Sequence, residues 1–366
     1  MAHTKTTRGN FFEDFRCGQV LRHGTPRTVS VGDQALYTAL TGARFALHSS
    51  AVFARALGLS DAPLDDLLVF HMVFGKTVPD VSRNAVANLG YGTCVFGAPV
   101  FAGDTLSALS TVIGLRENSS AKTGVVHVRT EGVNQRGETV LNYIRWVMVN
   151  KRDPGAPAPD PVVPQVPDSV AAGELVVPAG LDLSAYDTSA AGAPHLWDDY
   201  APGERIDHMD AMTIEEAEHQ MATRLYQNTA QVHFDLLAAK DGRFGRRIVY
   251  GGHIISLARA LSFNGLANAF RIAAINAGRH VAPSFAGDTI HAWSEVLDKI
   301  PLPGRADVGA LRVRTIATKD RPCADFPLTD AQGKAHPAVV LDLDYTVLMP
   351  RRRDDPARGS PNAVRI

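Results

Sequence analysis

Pro99-Val100-Phe101-Ala102-Gly103-Asp104-Thr105-Leu106 and Pro283-Ser284-Phe285-Ala286-Gly287-Asp288-Thr289-Ile290 agree at six of eight positions, at an offset of 184 residues. The likeness continues outward in order. Upstream, Phe12-Glu13-Asp14-Phe15 and Gly18 to Leu21 match Trp197-Asp198-Asp199-Tyr200 and Gly203 to Ile206 at an offset of 185. Leu47-His48 matches Val232-His233, again at 185. Downstream, Val140-Leu141 and Val147 match Val340-Leu341 and Val347 at an offset of 200, so the second copy carries 16 extra residues. Lys319 to His336, with its Pro, Asp and Gly, reads as that insertion, on the surface. Four ordered landmarks at nearly constant offset make the chain two copies of one unit.

The expected organisation is a first copy at 1–152, a linker at 153–190, a second copy at 191–352 and a tail at 353–366. Pro154, Pro157, Pro159, Pro161, Pro164 and Pro167 hold the linker extended, long enough to cross one domain face. Within each copy an extended segment (19–31; 204–213) leads to a helical stretch, 33–57 and 214–239. In the second stretch Ile214, Ala217, Met221, Ala222 and Leu225 mark one buried face. A further short helix is expected at 254–265. Runs such as Thr123 to Val128 and the period-two Leu311 to Ile316 read as strands. One long helix followed by antiparallel strands predicts an α+β unit with the sheet wrapped around the helix.

Composition bounds the chemistry. The 366 residues are 45% hydrophobic and 20% charged, which suits a globular chain and excludes collagen-like, disordered and coiled-coil classes. With 37 Lys+Arg against 38 Asp+Glu the net charge is -1, which argues against nucleic acid or an anionic membrane as partner. Any anionic ligand needs a local patch. Cys17, Cys94 and Cys323 lie far apart with no ligand spacing, so neither a disulfide framework nor a metal site is expected. The expected compartment is the reducing cytoplasm. No stretch reaches the ~18 apolar residues of a membrane span.

Two segments of the second copy carry candidate chemistry. Leu225 to Asp235 gathers Gln227, Asn228, His233 and Asp235 where helical periodicity fails. Ile248-Val249-Tyr250-Gly251-Gly252-His253 passes from an apolar strand through two glycines into a helix, whose outward N–H groups suit a carbonyl oxygen or a developing oxyanion. Asp104 and Asp288 read as turn-closing side chains.

These residues resemble the MaoC-like, R-specific enoyl-CoA hydratases in their double-hotdog form. The family motif has an Asp with a His five positions on, then I-V-H-G entering a helix, then P-V-x-x-G-D-T-L. Copy two supplies Asn228, His233, Val249-Tyr250-Gly251 and Pro283 to Ile290; copy one supplies Ala43, His48, Val69-Phe70-His71 and Pro99 to Leu106. The resemblance spans about residues 11–351. Phe11 to Gln19, Thr41 to Ser50, Ala85 to Tyr91 and Tyr226 to Asp235 look most like the branch that hydrates mesaconyl-CoA in the ethylmalonyl-CoA pathway and related carbon-assimilation routes. The departure is that Asn228 and Ala43 stand where the family has its acid. Alanine cannot orient water, and asparagine can hold water but cannot take its proton.

The resemblance implies a tandem hotdog hydro-lyase acting on an acyl-CoA, with no metal or redox cofactor. His233 is the expected general base, Asn228 the water holder and Gly251 N–H the donor to the thioester oxygen. Tyr250, Arg44, His48, Arg246 and Arg247 are expected around the substrate. Arg44, four residues before His48, would share its face if that stretch is helical. His71 and His253 are expected to pack rather than to react. A thioesterase using Asp235, an R-hydratase of straight-chain acyl-CoA and a non-catalytic acyl-CoA binder remain alternatives. The site can form between the halves of one chain, so activity does not require a dimer, and a homodimer stays open.

Overall fold

The computed structural model describes residues 5–352; the expected tail, 353–366, lies outside them. In the first half the strands are β1 (Val20–Thr28), β2 (Ala85–Phe96), β3 (Thr105–Glu117), β4 (Thr123–Val133) and β5 (Thr139–Asn150). The second half repeats them as β6 (Arg205–Thr213), β7 (Arg271–His280), β8 (Thr289–Pro301), β9 (Val308–Lys319) and β10 (Val339–Pro350). All ten join one antiparallel sheet in the order β1-β3-β4-β5-β2-β7-β10-β9-β8-β6. The halves meet where β2 pairs with β7, and Gly92 stands opposite Ala277, 185 residues later. The duplication is thus built into the sheet as a pseudo-twofold.

The helices are α1 (Val31–Thr41), α2 (Ala46–Ser49), α3 (Ala51–Ala56) and α4 (Asp66–Thr77), then α5 (Thr188–Ala191) in the linker region, and α6 (Glu216–Leu225), α7 (Leu236–Lys240), α8 (Gly251–Leu261) and α9 (Phe263–Leu266). This corrects the two long helices expected at 33–57 and 214–239. Gly42, at φ +70°, caps α1, because left-handed backbone there ends the helix at little cost only for glycine. In the second copy Gln227, at φ +53°, breaks the chain after α6. The helices the sheet wraps are α4 and α8, which pack on β1, β3, β5 and on β6, β8, β9 respectively. Sequence periodicity misses α4 because all twelve of its residues are buried, leaving no polar face to make a stripe.

One apolar core runs through both halves, taking in Phe70, Phe74, Tyr91 and Tyr143 from the first and Tyr226, Tyr250, Ile254 and Leu257 from the second. The turn motifs behave as read. Asp104 Oδ2 accepts the Phe101 N–H and Asp288 Oδ2 accepts the Phe285 N–H, each at 2.9 Å. The Pro-rich stretch crosses the sheet, since Val162 bridges Leu115 of β3, Val166 packs at Gly92 of β2 and Val170 N–H reaches Asn276 of β7. The insertion after β9 is more than a surface loop: Cys323, Phe326 and Leu328 pack on Trp293, whose Nε1–H donates to Pro327 O at 3.1 Å. Among the described residues no helix is long and apolar enough to cross a membrane.

Candidate active site

His233 lies in a single 3-10 turn, Gln231–His233, between α6 and α7. The turn is tied down by Ile248 N–H donating to Val232 O at 3.1 Å, while Val249 N–H donates to Ser284 O at 2.9 Å. Segment 248–249 therefore joins the histidine turn to the Phe-Ala-Gly-Asp-Thr turn. His233 Nδ1 lies 3.0 Å from Ile248 O. A carbonyl can only accept, so Nδ1 carries the hydrogen and Nε2 keeps its lone pair, the tautomer a proton acceptor needs. Burial pushes the His233 pKa down to about 4, partly opposed by the Ile248 hydrogen bond and reinforced by the His219 charge.

Asn228 is buried, and its Oδ1 accepts the Ala230 N–H at 3.0 Å in an Asx-type turn. That leaves the Nδ2 amide, a donor, as its remaining polar group. The turn before it rests on the other half. A Cβ on Gly75 of α4 would collide with Tyr226 O, so glycine there lets the Tyr226–Gln227 backbone approach.

Tyr250 is the N-cap of α8, and its ring stands edge-on to His233 with centroids 5.7 Å apart. Gly251 and Gly252 are the first two residues of the helix, so their N–H groups have no acceptor within it. Neither position tolerates a side chain. A Cβ on Gly251 would lie within 2.7 Å of His280 Cε1, Nδ1 and Nε2, and one on Gly252 would strike the Tyr250 ring. His280, the last residue of β7, is thus part of the site, with its Nε2 3.1 Å from the Tyr91 hydroxyl of β2. Burial and the His233 charge lower the His280 pKa to about 4. Sequence reading missed this pair. Tyr91 falls in a stretch quoted for its family likeness and His280 three residues before Pro283, but nothing in the sequence links them.

The three arginines are each engaged by other groups. Arg44 is not on a helix with His48, because α1 has ended at Thr41 and α2 starts at Ala46; its guanidinium lies 4.5 Å from the centroid of the Phe263 ring. Arg246 lies 3.7 Å over Phe285. Arg247 Nη2 donates to Glu216 at 2.6 Å and Nη1 to Phe234 O at 3.3 Å, which braces the chain just after His233. Asp235 is the N-cap of α7, its Oδ1 accepting the Ala238 N–H at 3.0 Å. His71 is fully buried, hydrogen-bonded through Nε2 to Ser256 at 2.8 Å, and His253 is buried in α8.

Copy one keeps the histidine and sets a carboxylate beside it. Asp66, the first residue of α4, stands 185 positions before Gly251, the first of α8, which corrects the expected match: Leu64-Asp65-Asp66, not Val69-Phe70-His71, is the copy-one counterpart of Val249-Tyr250-Gly251. Its carboxylate lies 3.5 Å from His48 Nε2 and 3.4 Å from Arg271 Nε, and accepts the Ile272 N–H at 2.9 Å. Burial opposes ionisation of Asp66, but Arg271 and His48 outweigh it and hold the pKa below the usual carboxylate value. Burial likewise works to lower the His48 pKa, and Asp66 with Asp65 raises it above the usual value. A pocket opens beside this histidine, lined by Gln34, Thr38, Ala43, Phe45, His48, Ser49 and Asp65. His48 Nε2 therefore faces a carboxylate where His233 Nε2 is left with a free lone pair.

A family model described as mesaconyl-CoA hydratase matches residues 1–325. The chain is similar to the β-methylmalyl-CoA dehydratase of Chloroflexus aurantiacus, 68% identical over 95% of this chain and 99% of that protein. It is similar also to the mesaconyl-CoA hydratase of Cereibacter sphaeroides, 60% identical over 95% of this chain and 100% of that one. A solved structure described as a putative MaoC domain protein dehydratase from Chloroflexus aurantiacus superposes with a TM-score of 0.94 at 67% identity, covering 96% of this chain and 100% of its own. A conserved hypothetical protein from Mycobacterium tuberculosis with a double hotdog fold superposes at 0.73 with 25% identity, covering 93% and 99%. The fold is the tandem, double hotdog.

Proposed function

The chain belongs to the mesaconyl-CoA hydratase family, and from that premise we propose that it adds water reversibly across the double bond of mesaconyl-CoA, giving β-methylmalyl-CoA, with His233 as the base. The C3 carbon of an α,β-unsaturated thioester accepts water only if the thioester oxygen can carry the negative charge that develops. Chemistry therefore needs a proton acceptor at the water and a hydrogen-bond donor at the carbonyl. His233 Nε2, left free by the Nδ1 bond to Ile248 O, takes the proton from water. Asn228 Nδ2, with its Oδ1 engaged at Ala230, donates to the water oxygen. Gly251 N–H, at the start of α8, donates to the thioester oxygen, a contribution of roughly 3–4 kcal/mol by analogy with other oxyanion donors. His233 then returns its proton to C2, and the water adds syn. Every step uses groups of the chain itself.

The single observation that carries the assignment of the base is the His233 tautomer. Two neighbouring facts favour hydration over thioester hydrolysis: the family acid is an amide in copy two, and Asp235, the carboxylate weighed for a thioesterase, caps α7. The test is loss of the enoyl-thioester ultraviolet absorbance on mixing with mesaconyl-CoA, with the product identified as β-methylmalyl-CoA rather than free acid. His233→Ala is expected to slow it by about 10²–10⁴-fold, whereas His48→Ala leaves kcat within a few-fold. The reverse order of effects would place the reaction in copy one.

A further inference from the structure

Hydrating mesaconyl-CoA brings a free carboxylate into the site on the carbon that water attacks. Arg44 and Arg246 are stacked on Phe263 and Phe285, and Arg247, which reaches Phe234 O beside His233, is already paired with Glu216. A buried carboxylate without a donor is costly, so another group must meet it. We propose that His280, held by Tyr91 of the other half, is the specificity-determining residue that receives this carboxylate.

Three observations converge on it. His280 lies against the N-terminus of α8, close enough that only glycine fits at position 251. Its partner is fixed: burial keeps the Tyr91 phenol protonated, and the hydroxyl lies 3.1 Å from His280 Nε2. With the phenol donating to Nε2, the imidazole hydrogen sits on Nδ1 and is the ring's one N–H donor, on a ring that lies against Gly251. The third observation is copy one. There the residue equivalent to Gly251 is Asp66, which places a carboxylate 3.5 Å from His48 Nε2, balanced by Arg271. The degenerate half carries, as a side chain, the chemical group that the substrate brings to the other half. Phe96, three residues before Pro99 as His280 is three before Pro283, completes the contrast: copy one has no donor at that point and needs none.

The inference rests on the proposed reaction, and the experiment separates the two. Methylsuccinyl-CoA is the saturated, unreactive analogue of the substrate, and 2-methylbutyryl-CoA has the same skeleton with a methyl group in place of the carboxylate. Titration of the wild-type chain should give a preference for methylsuccinyl-CoA of about ten- to a hundredfold, the range of a hydrogen bond to a charged group. In His280→Leu the ratio of the two dissociation constants should fall to near one, with 2-methylbutyryl-CoA binding changed less than about threefold. Tyr91→Phe should lower the ratio in the same direction while leaving the imidazole in place, and it decides the matter if His280→Leu does not fold. A wild-type preference that survives both substitutions overturns the assignment of His280. Failure of the wild-type chain to hydrate mesaconyl-CoA instead overturns the reaction.

Discussion

His233 and His48 occupy equivalent places in the repeat and meet opposite electrostatics. The first is held neutral by burial, and the second is drawn toward its charged form by Asp66. A base works only while unprotonated, so the sign of the His233 shift fixes the acid limb of kcat/KM. Activity should hold as pH falls through 6.5, the ordinary histidine value, and decline only toward the His233 value of about 4. A kcat/KM profile with a limb at 6.5 or above would contradict this assignment of the base. The motif histidine, the substituted acid and the glycine turn were legible in the sequence because they are local. Arg44 was not, because its direction depends on where α1 stops, which Gly42 decides.

At the scale of elements, the site is made of pieces that lean on one another across the repeat. α4 supports the turn before Asn228 through Gly75, and β2 orients His280 through Tyr91. Gly75→Ala would drive a methyl group into Tyr226 O and displace Asn228. The expected cost is about 1–3 kcal/mol of stability, measured by denaturant unfolding, together with a fall in kcat larger than the rise in KM. A fully active Gly75→Ala variant would show that the turn does not need this support. The internal symmetry also extends to a buried polar chain. His23 Nε2, Ser110 Oγ and Thr130 Oγ1 link at 2.7 and 2.8 Å, and His208 Nε2, Ser294 Oγ and Thr315 Oγ1 repeat the link at 2.8 and 2.7 Å. Its recurrence in both halves, on buried strand serines, marks it as structural. Sequence offset alone could have revealed it, since His23 and His208 are 185 apart, but neither residue sits in a local motif.

For the whole molecule, buried histidines make stability depend on pH. His208 and His253 are almost inaccessible, and burial lowers both pKa values to about 4. The unfolded chain binds protons near pH 6.5, so their contribution is complete above that value and is lost as pH falls toward 4. Each should cost about 2 kcal/mol at pH 5. Unfolding free energies measured at pH 7 and pH 5 should show the loss, and His208→Gln should make the dependence shallower. Equal stability at both values would mean these histidines are already reached by water. By itself the amino-acid order determined the duplication, the turn-closing aspartates and the family, because each is written in contiguous or evenly offset residues. Only the tertiary structure decided that the halves share one sheet and core, that α4 and α8 are the wrapped helices, and that Tyr91 and His280 meet across the halves. Helix α4 has no polar face to betray it, and a contact between residues 189 positions apart exists only once β2 and β7 have paired.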